Sequence, residues 1–464
     1  MPEQVRLAIV GAGPAGLAAA IEASELGVPS TLVDVYPRPG GQYYKQLPDQ
    51  FQKAASRSAV SQADEGQALL SELGLAGVHV LSDTAVWGVF ANEEGPGYLL
   101  CLYGPPDTPR RVLADVVILA PGAYDRPLPF PGWTLPGVMT AGAAQVLVKS
   151  QRVLPGQRVL LSGTGPLQLA VASQLISGGA QVVAILDANP FPWNGWRHVR
   201  GVWGQWERLK EGWEYLQTIR RGRAPLRWGQ TVLRAEGDGQ VERAVVGTLD
   251  GRVTDTLAVD TICLGYGFVP SAQLPAQAGC ELSYRRQVGG YIPRRDEWLE
   301  TSLPGLFVAG DGAGIGGKDV AMGEGRLAAV AAARRLGQPV AGSRVEKVRR
   351  ELRRQRRFSA VLEELFPFPL ELWDLMADDT TLCRCEEITL ADVRRAVADG
   401  ATTPTAVKNL TRAGMGRCQG RMCYGAVAQA IARETGQPIE TIPALSARPP
   451  VIPVPLEGLL EEPL

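Results

Sequence analysis

Residues 7–16 read Leu7-Ala-Ile-Val10-Gly11-Ala-Gly13-Pro14-Ala15-Gly16, and after a helical pattern to about Leu26 the chain continues Thr31-Leu-Val-Asp34. A short apolar strand enters a Gly-x-Gly-x-x-Gly turn, a helix leaves it, and an acid ends the next strand. That order is the signature of a dinucleotide-binding βαβ unit. Gly11 makes the tight turn, Gly13 admits a pyrophosphate, and Gly16 lets the helix pack on the sheet. Pro14 and Ala15 complete the loop against the phosphates at the helix N-terminus, and Asp34 is placed to accept from a ribose hydroxyl. A glycine turn by itself is a weak signal, and a purely structural turn is its bland alternative. Here the strand, the helix and the acid all stand in place around it.

The pattern recurs further along. Arg158-Val-Leu-Leu161 is a strand, Gly163-Thr-Gly165-Pro-Leu-Gln168 opens a helix, and Val182-Val-Ala-Ile-Leu-Asp187 supplies the next strand and acid. Gln168 stands where the third glycine belongs and loosens the packing of helix on strand. Asp187 favours NAD over NADP if anything binds. The repeat therefore reads either as a working NAD site or as a vestigial or differently used one. It ends near Thr261-Ile-Cys-Leu-Gly265-Tyr-Gly267, an apolar strand with its own glycine turn.

Three further stretches resemble the flavoproteins of the glutathione-reductase superfamily. Pro39-Gly40-Gly41-Gln42 is similar to the Gly-Gly loop they carry near the cofactor, and Val116-Val-Ile-Leu-Ala120-Pro-Gly122-Ala to their crossover strand. Leu306-Phe-Val-Ala-Gly310-Asp311-Gly resembles their second flavin fingerprint, although Asp311 alone would pass for a turn residue. The resemblance implies FAD in the first unit, contacted through Gly41, Gln42, Gly122, Gly310 and Asp311 as well as the first loop. Lys318-Asp319 and Glu324-Gly325-Arg326 follow, expected either near the isoalloxazine or as a solvated helix start.

Near the C-terminus, Cys383 and Cys385 form a C-x-C pair and Cys418 and Cys423 a C-x4-C pair. Four thiolates hold a [2Fe–2S] cluster or a zinc ion. Zinc ribbons usually use C-x2-C pairs, which weighs toward the cluster. Gly414, Gly416 and Gly420 let the backbone curl close to a ligand, and Arg384, Arg417 and Arg421 offset thiolate charge. This stretch resembles the bacterioferritin-associated-ferredoxin (BFD) type of [2Fe–2S] domain.

The totals bound the rest. At 464 residues with 45% hydrophobic content and 54 glycines, the chain fits a glycine-rich α/β protein of several domains. A formal charge of −1 excludes a broad electrostatic surface for nucleic acid. No apolar run reaches bilayer-spanning length, and the strand begins too early for a signal peptide, so the expectation is a cytoplasmic protein, or one peripheral to a membrane through a partner. Cys101, Cys263 and Cys280 are isolated, which fits a reducing compartment, and the absence of a close Cys pair in the nucleotide units counts against disulfide reduction. Only two histidines are present, too few for histidine-built metal sites.

The fold class is thus α/β: two nested Rossmann-like dinucleotide-binding domains of glutathione-reductase-like flavoprotein type, plus a small helical C-terminal [2Fe–2S] domain. The expected boundaries are 1–125 with 262–335 for the FAD domain and 126–261 for the nested NAD-like domain. A helical linker follows at 336–380, the cluster domain at 381–440, and an extended Pro-rich tail at 441–464, able to lie across another surface. Residues 190–216 hold five of the ten tryptophans, either a helical insertion packed on its own domain or a partner interface. The arginines between 349 and 357 read as a solvated face of an amphipathic helix over Val345–Leu362, or as a dock for an acidic partner.

In this order of parts the whole chain resembles the larger flavoprotein (alpha or A) subunit of heteromeric dye-linked dehydrogenases. That group includes opine oxidases, hydrogen cyanide synthase and proline or hydroxyproline dehydrogenases, with the alpha subunit of sarcosine oxidase more distant. The resemblance implies that an amino acid, imino acid or opine is oxidised at FAD in a smaller, amine-oxidase-like partner subunit. This chain then relays electrons through flavin and the cluster on Cys383, Cys385, Cys418 and Cys423 to an external acceptor. Some relatives keep an FMN at a subunit interface; nothing in this sequence shows it. No residue stands out as an acid or base for substrate chemistry. Two other readings stay open: a self-contained NADH-dependent reductase, and a non-catalytic iron–sulfur carrier whose nucleotide folds are scaffolding.

Overall fold

The computed structural model describes residues 2–46, 60–193 and 195–459. The chain divides into two compact units. One is assembled from Met1–Tyr124, Pro270–Ser359 and Ser446–Leu464, the other from Asp125–Val269 and Ala360–Leu445.

The first unit is built on the strand Glu3–Val10, whose last four residues are all buried. Parallel strands covered on both faces need such continuous apolar runs. This strand pairs in parallel with Ser30–Val33 on one side and Arg111–Leu119 on the other, and His79–Leu81 adds beyond Ser30–Val33. Arg111–Leu119 splits its far edge. Its first half pairs antiparallel with Tyr98–Tyr103, which in turn pairs with Ala85–Ala91, and its last residues pair in parallel with Leu306–Val308. That last pairing brings the Gly310 turn beside the Gly11 turn in one sheet. The helix Pro14–Glu25 starts with Pro at its first position, where the missing N–H costs nothing, and buries every residue from Ala15 to Ala23. It packs on the helix Lys318–Arg335 so closely that a Cβ on Gly325 would stand 2.0 Å from the Ala15 carbonyl oxygen.

The 336–380 linker contains one long helix, Gly342–Leu365, and the short 3-10 turn Leu370–Leu375. The tail beyond 441 does not reach for another surface. Val451 is buried in the first unit's core, its N–H donates to the Trp87 carbonyl, and Tyr103 Oη donates to Glu457 at 3.1 Å. The tail thereby covers the edge strand Ala85–Ala91, whose unpaired backbone would otherwise invite another chain. Residues 460–464 of the expected tail lie outside the described residues.

The second unit repeats the plan with five parallel strands in the order Leu226–Trp228, Gln181–Asp187, Arg158–Gly163, Thr261–Gly265, Val138–Thr140. Thr261–Gly265, at whose start the sequence reading divides the domains, lies inside this sheet, so the division falls after it, at 269/270. A three-stranded antiparallel sheet, Thr231–Glu236, Arg243–Gly247 and Val253–Ala258, is attached.

The same unit holds the cysteine region: the strand pair Thr381–Cys383 and Ile388–Thr389, and the helices Leu390–Ala398, Pro404–Thr411 and Tyr424–Thr435. Leu390–Ala398 opens on a capping box in which Thr389 and Asp392 satisfy each other's backbone N–H. Pro404–Thr411 is not in the sequence reading, although Thr403-Pro404 is a start signal, a side-chain cap followed by Pro at the first position. The described residues contain no helix long and apolar enough to cross a membrane.

Candidate functional site

The first glycine loop has the steric signature of a phosphate cradle. Gly11 sits at φ +99°, and a Cβ there would stand 2.3 Å from the Ala120 carbonyl oxygen; one on Gly16 would stand 1.7 Å from the Gly11 carbonyl. Gly13 is different: its nearest neighbour would be the Gly41 Cα, at 4.0 Å. Two glycines are thus fixed by close packing while the third faces open space, as an approaching pyrophosphate requires. The Pro39–Gln42 loop closes over this point, with the Gly40 N–H donating to the Ala12 carbonyl at 2.8 Å. Gln42 is exposed and donates from Nε2 to Tyr36 Oη at 2.6 Å. Gly122, at φ +68°, likewise has nothing within 4 Å of its Cβ position.

Asp34 is buried and accepts from the Ala12 N–H and, at 2.7 Å, from the Tyr36 N–H. Burial raises its pKa against the opposing pull of those two bonds. Its carboxylate braces the loop it was expected to serve, and its remaining lone pairs are what a ribose could use. Asp311 accepts from Gly316 N–H at 2.9 Å and Gly317 N–H at 3.2 Å, and burial raises its pKa too. It shapes the turn that leads into the helix Lys318–Arg335.

Two clusters near these loops escaped sequence reading. Glu324 is 3% exposed and accepts from Arg295 Nη1 at 2.7 Å and Nη2 at 2.9 Å, from Arg356 Nη2 at 2.8 Å and from the Gly310 N–H at 2.9 Å. Neither a solvated helix start nor a solvated arginine face describes this: the fingerprint turn hangs on a buried carboxylate held by two guanidinium groups. Burial alone would raise the Glu324 pKa, but the charges and bonds of Arg295 and Arg356 outweigh it and hold it below its ordinary value. The second cluster pairs Lys318 with Glu65 and sets its ammonium 5.2 Å from the Tyr43 ring centre and 5.9 Å from that of Tyr44. Burial, then the charge of Glu65, pushes the Tyr44 hydroxyl above the usual phenol range.

The cysteines come together as two pairs. Cys385 and Cys418 have Sγ atoms 3.9 Å apart, with Cys385 exposed. Cys383 and Cys423 are buried at 1% and 2% exposure and hydrogen-bond to each other. That bond, with the N–H groups of Gly414, Glu386 and Cys385, brings the Cys383 thiol down to about 5 against its burial, while Cys423 is driven up. Among the described residues no three His, Cys, Asp or Glu side chains already converge as one tetrahedral zinc would need. Two separate thiol pairs suit a two-iron cluster, each iron taking one pair. Gly416 is indispensable here, because its Cβ would lie 2.1 Å from the Cys385 Cβ.

In the second unit Gly163 is locked against Gly265, a Cβ on it lying 2.1 Å from the Gly265 carbonyl oxygen. Asp187 is buried and accepts from the Gly165 N–H at 3.0 Å and the Asn189 N–H at 2.9 Å. Gln168 is buried at the helix–strand contact, and its Oε1 has no hydrogen-bond partner among the described atoms.

Comparison with known proteins agrees with this geometry. Residues 5–337 match the family described as pyridine nucleotide-disulphide oxidoreductase, and residues 381–433 the BFD-like [2Fe-2S] binding domain. These matches imply a flavin, as FAD, in the first unit and a [2Fe–2S] cluster on the cysteine region. The chain is 35% identical to the larger, A-type component of opine oxidase from Agrobacterium tumefaciens, over 98% of its own length and 92% of that protein. It is 32% identical to the hydrogen cyanide synthase component HcnB of Pseudomonas aeruginosa over 98% of both. The crystal structure of L-proline dehydrogenase from P. horikoshii shares the fold, with a TM-score of 0.72 over 99% of this chain and 81% of that one at 23% identity. The chain is therefore one component of a flavin oxidoreductase and belongs to the pyridine nucleotide-disulphide oxidoreductase family, in the group that includes the A-type component of opine oxidase and HcnB.

Proposed function

We propose that this chain is the electron-transferring subunit of a heteromeric dehydrogenase that oxidises a C–N bond in an amino acid, imino acid or opine. The observation that carries the reading is the joint presence, in one chain matched end to end by named oxidase subunits, of an open dinucleotide cradle and two facing thiol pairs. FAD, when bound, accepts an electron pair, and a [2Fe–2S] cluster passes electrons on singly. The chain's residues hold and tune these groups. Gly11, Gly13, Pro14, Ala15 and Gly16 admit the phosphates, while Gly41, Gln42, Gly122, Gly310 and Asp311 line the approach. Asp34 fixes the loop and offers a ribose acceptor. Cys383 and Cys423 form the buried half of the cluster site, and Cys385 and Cys418 the half that faces an acceptor. Cys101, Cys263 and Cys280 are free and buried, so the nucleotide units have no thiol pair for disulfide exchange.

The partner in this reading is a smaller FAD-dependent, amine-oxidase-like subunit. One surface suited to it lies on the helix Trp206–Arg221, where only Ile219 is buried. Trp206, Leu209, Trp213 and Leu216 recur at helical spacing and are all exposed, with Trp203 set edge-on against Trp206 at 5.7 Å. Tryptophans do not pack on their own domain here, and exposed aromatic stripes of this kind mark partner contacts. Purification of the tagged chain from its host should bring down a flavoprotein of the amine-oxidase type, identified by mass spectrometry, together with amine-dependent dye reduction. A chain that emerges alone and shows no such activity would refute the reading. Trp206→Ala with Trp213→Ala should lower recovery of that partner by about tenfold or more, since each hot-spot residue is worth roughly 2 kcal/mol. Undiminished recovery would place the interface elsewhere.

A further inference from the structure

The two glycine loops are alike in sequence and differ in what covers them. On Gly13 the nearest atom to a Cβ would be a glycine Cα at 4.0 Å, whereas a Cβ on Gly165 would meet Phe366 Cβ at 3.5 Å and Cγ at 3.7 Å. Gly165 is the position over which a pyrophosphate must come close to the backbone. Phe366 also stacks on Trp228, their planes 23° apart and centres 6.5 Å from each other, and Trp228 pairs in register with Asp187, the acid at the ribose position. The segment is pinned again two residues on, where the Arg126 guanidinium lies 4.3 Å from the Phe368 ring centre.

Beyond it the attachment continues into the cluster region. Trp133 Nε1 donates to the Thr381 carbonyl at 2.7 Å, and Leu160 and Leu186 of the parallel sheet share one core with Leu372 and Leu382. The helix start is altered to match: Gln168 fills the helix–strand contact where Gly16 has no side chain.

We infer that the second nucleotide fold is given over to seating the cluster domain, with Phe366 occupying the pyrophosphate position on Gly165, so that this fold takes no pyridine dinucleotide. The inference deepens the subunit reading, because it removes NADH at this fold as an electron source and leaves the partner's substrate.

The full chain, purified with whatever partner accompanies it, is titrated anaerobically with NADH and NADPH. Quenching of tryptophan emission reports on Trp228 beside the cradle, and flavin bleaching reports electron entry. No saturable quenching is expected in the wild type. Phe366→Ala should open the cradle and tighten NADH binding by about tenfold or more, while Phe366→Leu should keep it closed; iron content and melting profile serve as folding controls. Wild-type binding that Asp187→Ala weakens tenfold or more would overturn the inference, and that arm stands even if Phe366→Ala does not fold. So would a folded Phe366→Ala that binds NADH no better than the wild type. Failure to recover a partner would sink the subunit reading and leave this titration untouched, so the two fail separately.

Discussion

Gly416→Ala is expected to empty the iron–sulfur site while leaving the flavin unit folded. The added methyl would lie 2.1 Å from the Cys385 Cβ and 2.9 Å from its Sγ. No rotation of Cys385 relieves both contacts, so one loop must retreat. Overpacking of this order costs about 1–3 kcal/mol in a well-packed site. The larger effect is geometric, because metal–ligand distances tolerate shifts of only about 0.2 Å. Iron and acid-labile sulfide per chain should fall by about tenfold or more, with loss of the visible absorbance and of the electron paramagnetic resonance signal after reduction. Gly425→Ala is the matched control: its Cβ would meet only Trp373, at an ordinary 3.7 Å, and alanine favours the helix it would join. Full iron content in Gly416→Ala would show that the thiol pairs are not arranged as described.

Glu324→Gln should cost the first unit about 3–5 kcal/mol, the usual effect of stripping one partner from a buried ion pair. Arg295, at 16% side-chain exposure, would keep its charge without the carboxylate that accepts both its Nη atoms, and the Gly310 N–H would lose its acceptor. Two readouts follow, a lower first thermal transition and weaker retention of FAD on gel filtration.

The pH dependence has a definite sign. A carboxyl held below its ordinary value when folded contributes stability that is complete above about 4.5 and disappears as the pH falls through the lowered folded value. The wild type should therefore lose stability on that acid limb, and Glu324→Gln should lack this part of the loss. Matching melting temperatures and matching acid limbs for the two proteins would show that the carboxylate is not what holds the turn.

The parts legible in the sequence were those set by local rules. The Gly11–Gly16 and Gly163–Gly165 turns, the strands around them and the helix Leu390–Ala398 follow from periodicity, glycine placement and a Thr cap, which involve only near neighbours along the chain. The C-x-C and C-x4-C spacings marked the cysteines for the same reason. What stayed hidden depends on distant residues meeting. Arg295, Glu324 and Arg356 are spread over three segments, and nothing in the local charge pattern separates Arg356, bound to a buried acid, from its neighbour Arg357, which is exposed. Phe366 sits in a short Phe-Pro-Phe-Pro run whose only local meaning is a helix stop. The aromatic stripe was visible as composition; its direction, outward, required the fold.

The tail carries a consequence for how the protein is made. Val451 completes the edge of a sheet whose central strand is Glu3–Val10, so the flavin unit gathers segments from the beginning, the middle and the far end of translation. The cysteine-bearing unit needs nothing beyond residue 445. On the ribosome, then, the second half can assemble while the strand Ala85–Ala91 still waits, uncovered, for its last partner. A nascent chain halted near residue 445 would carry a finished electron outlet and an unfinished inlet, with the sticky sheet edge exposed to any neighbouring chain.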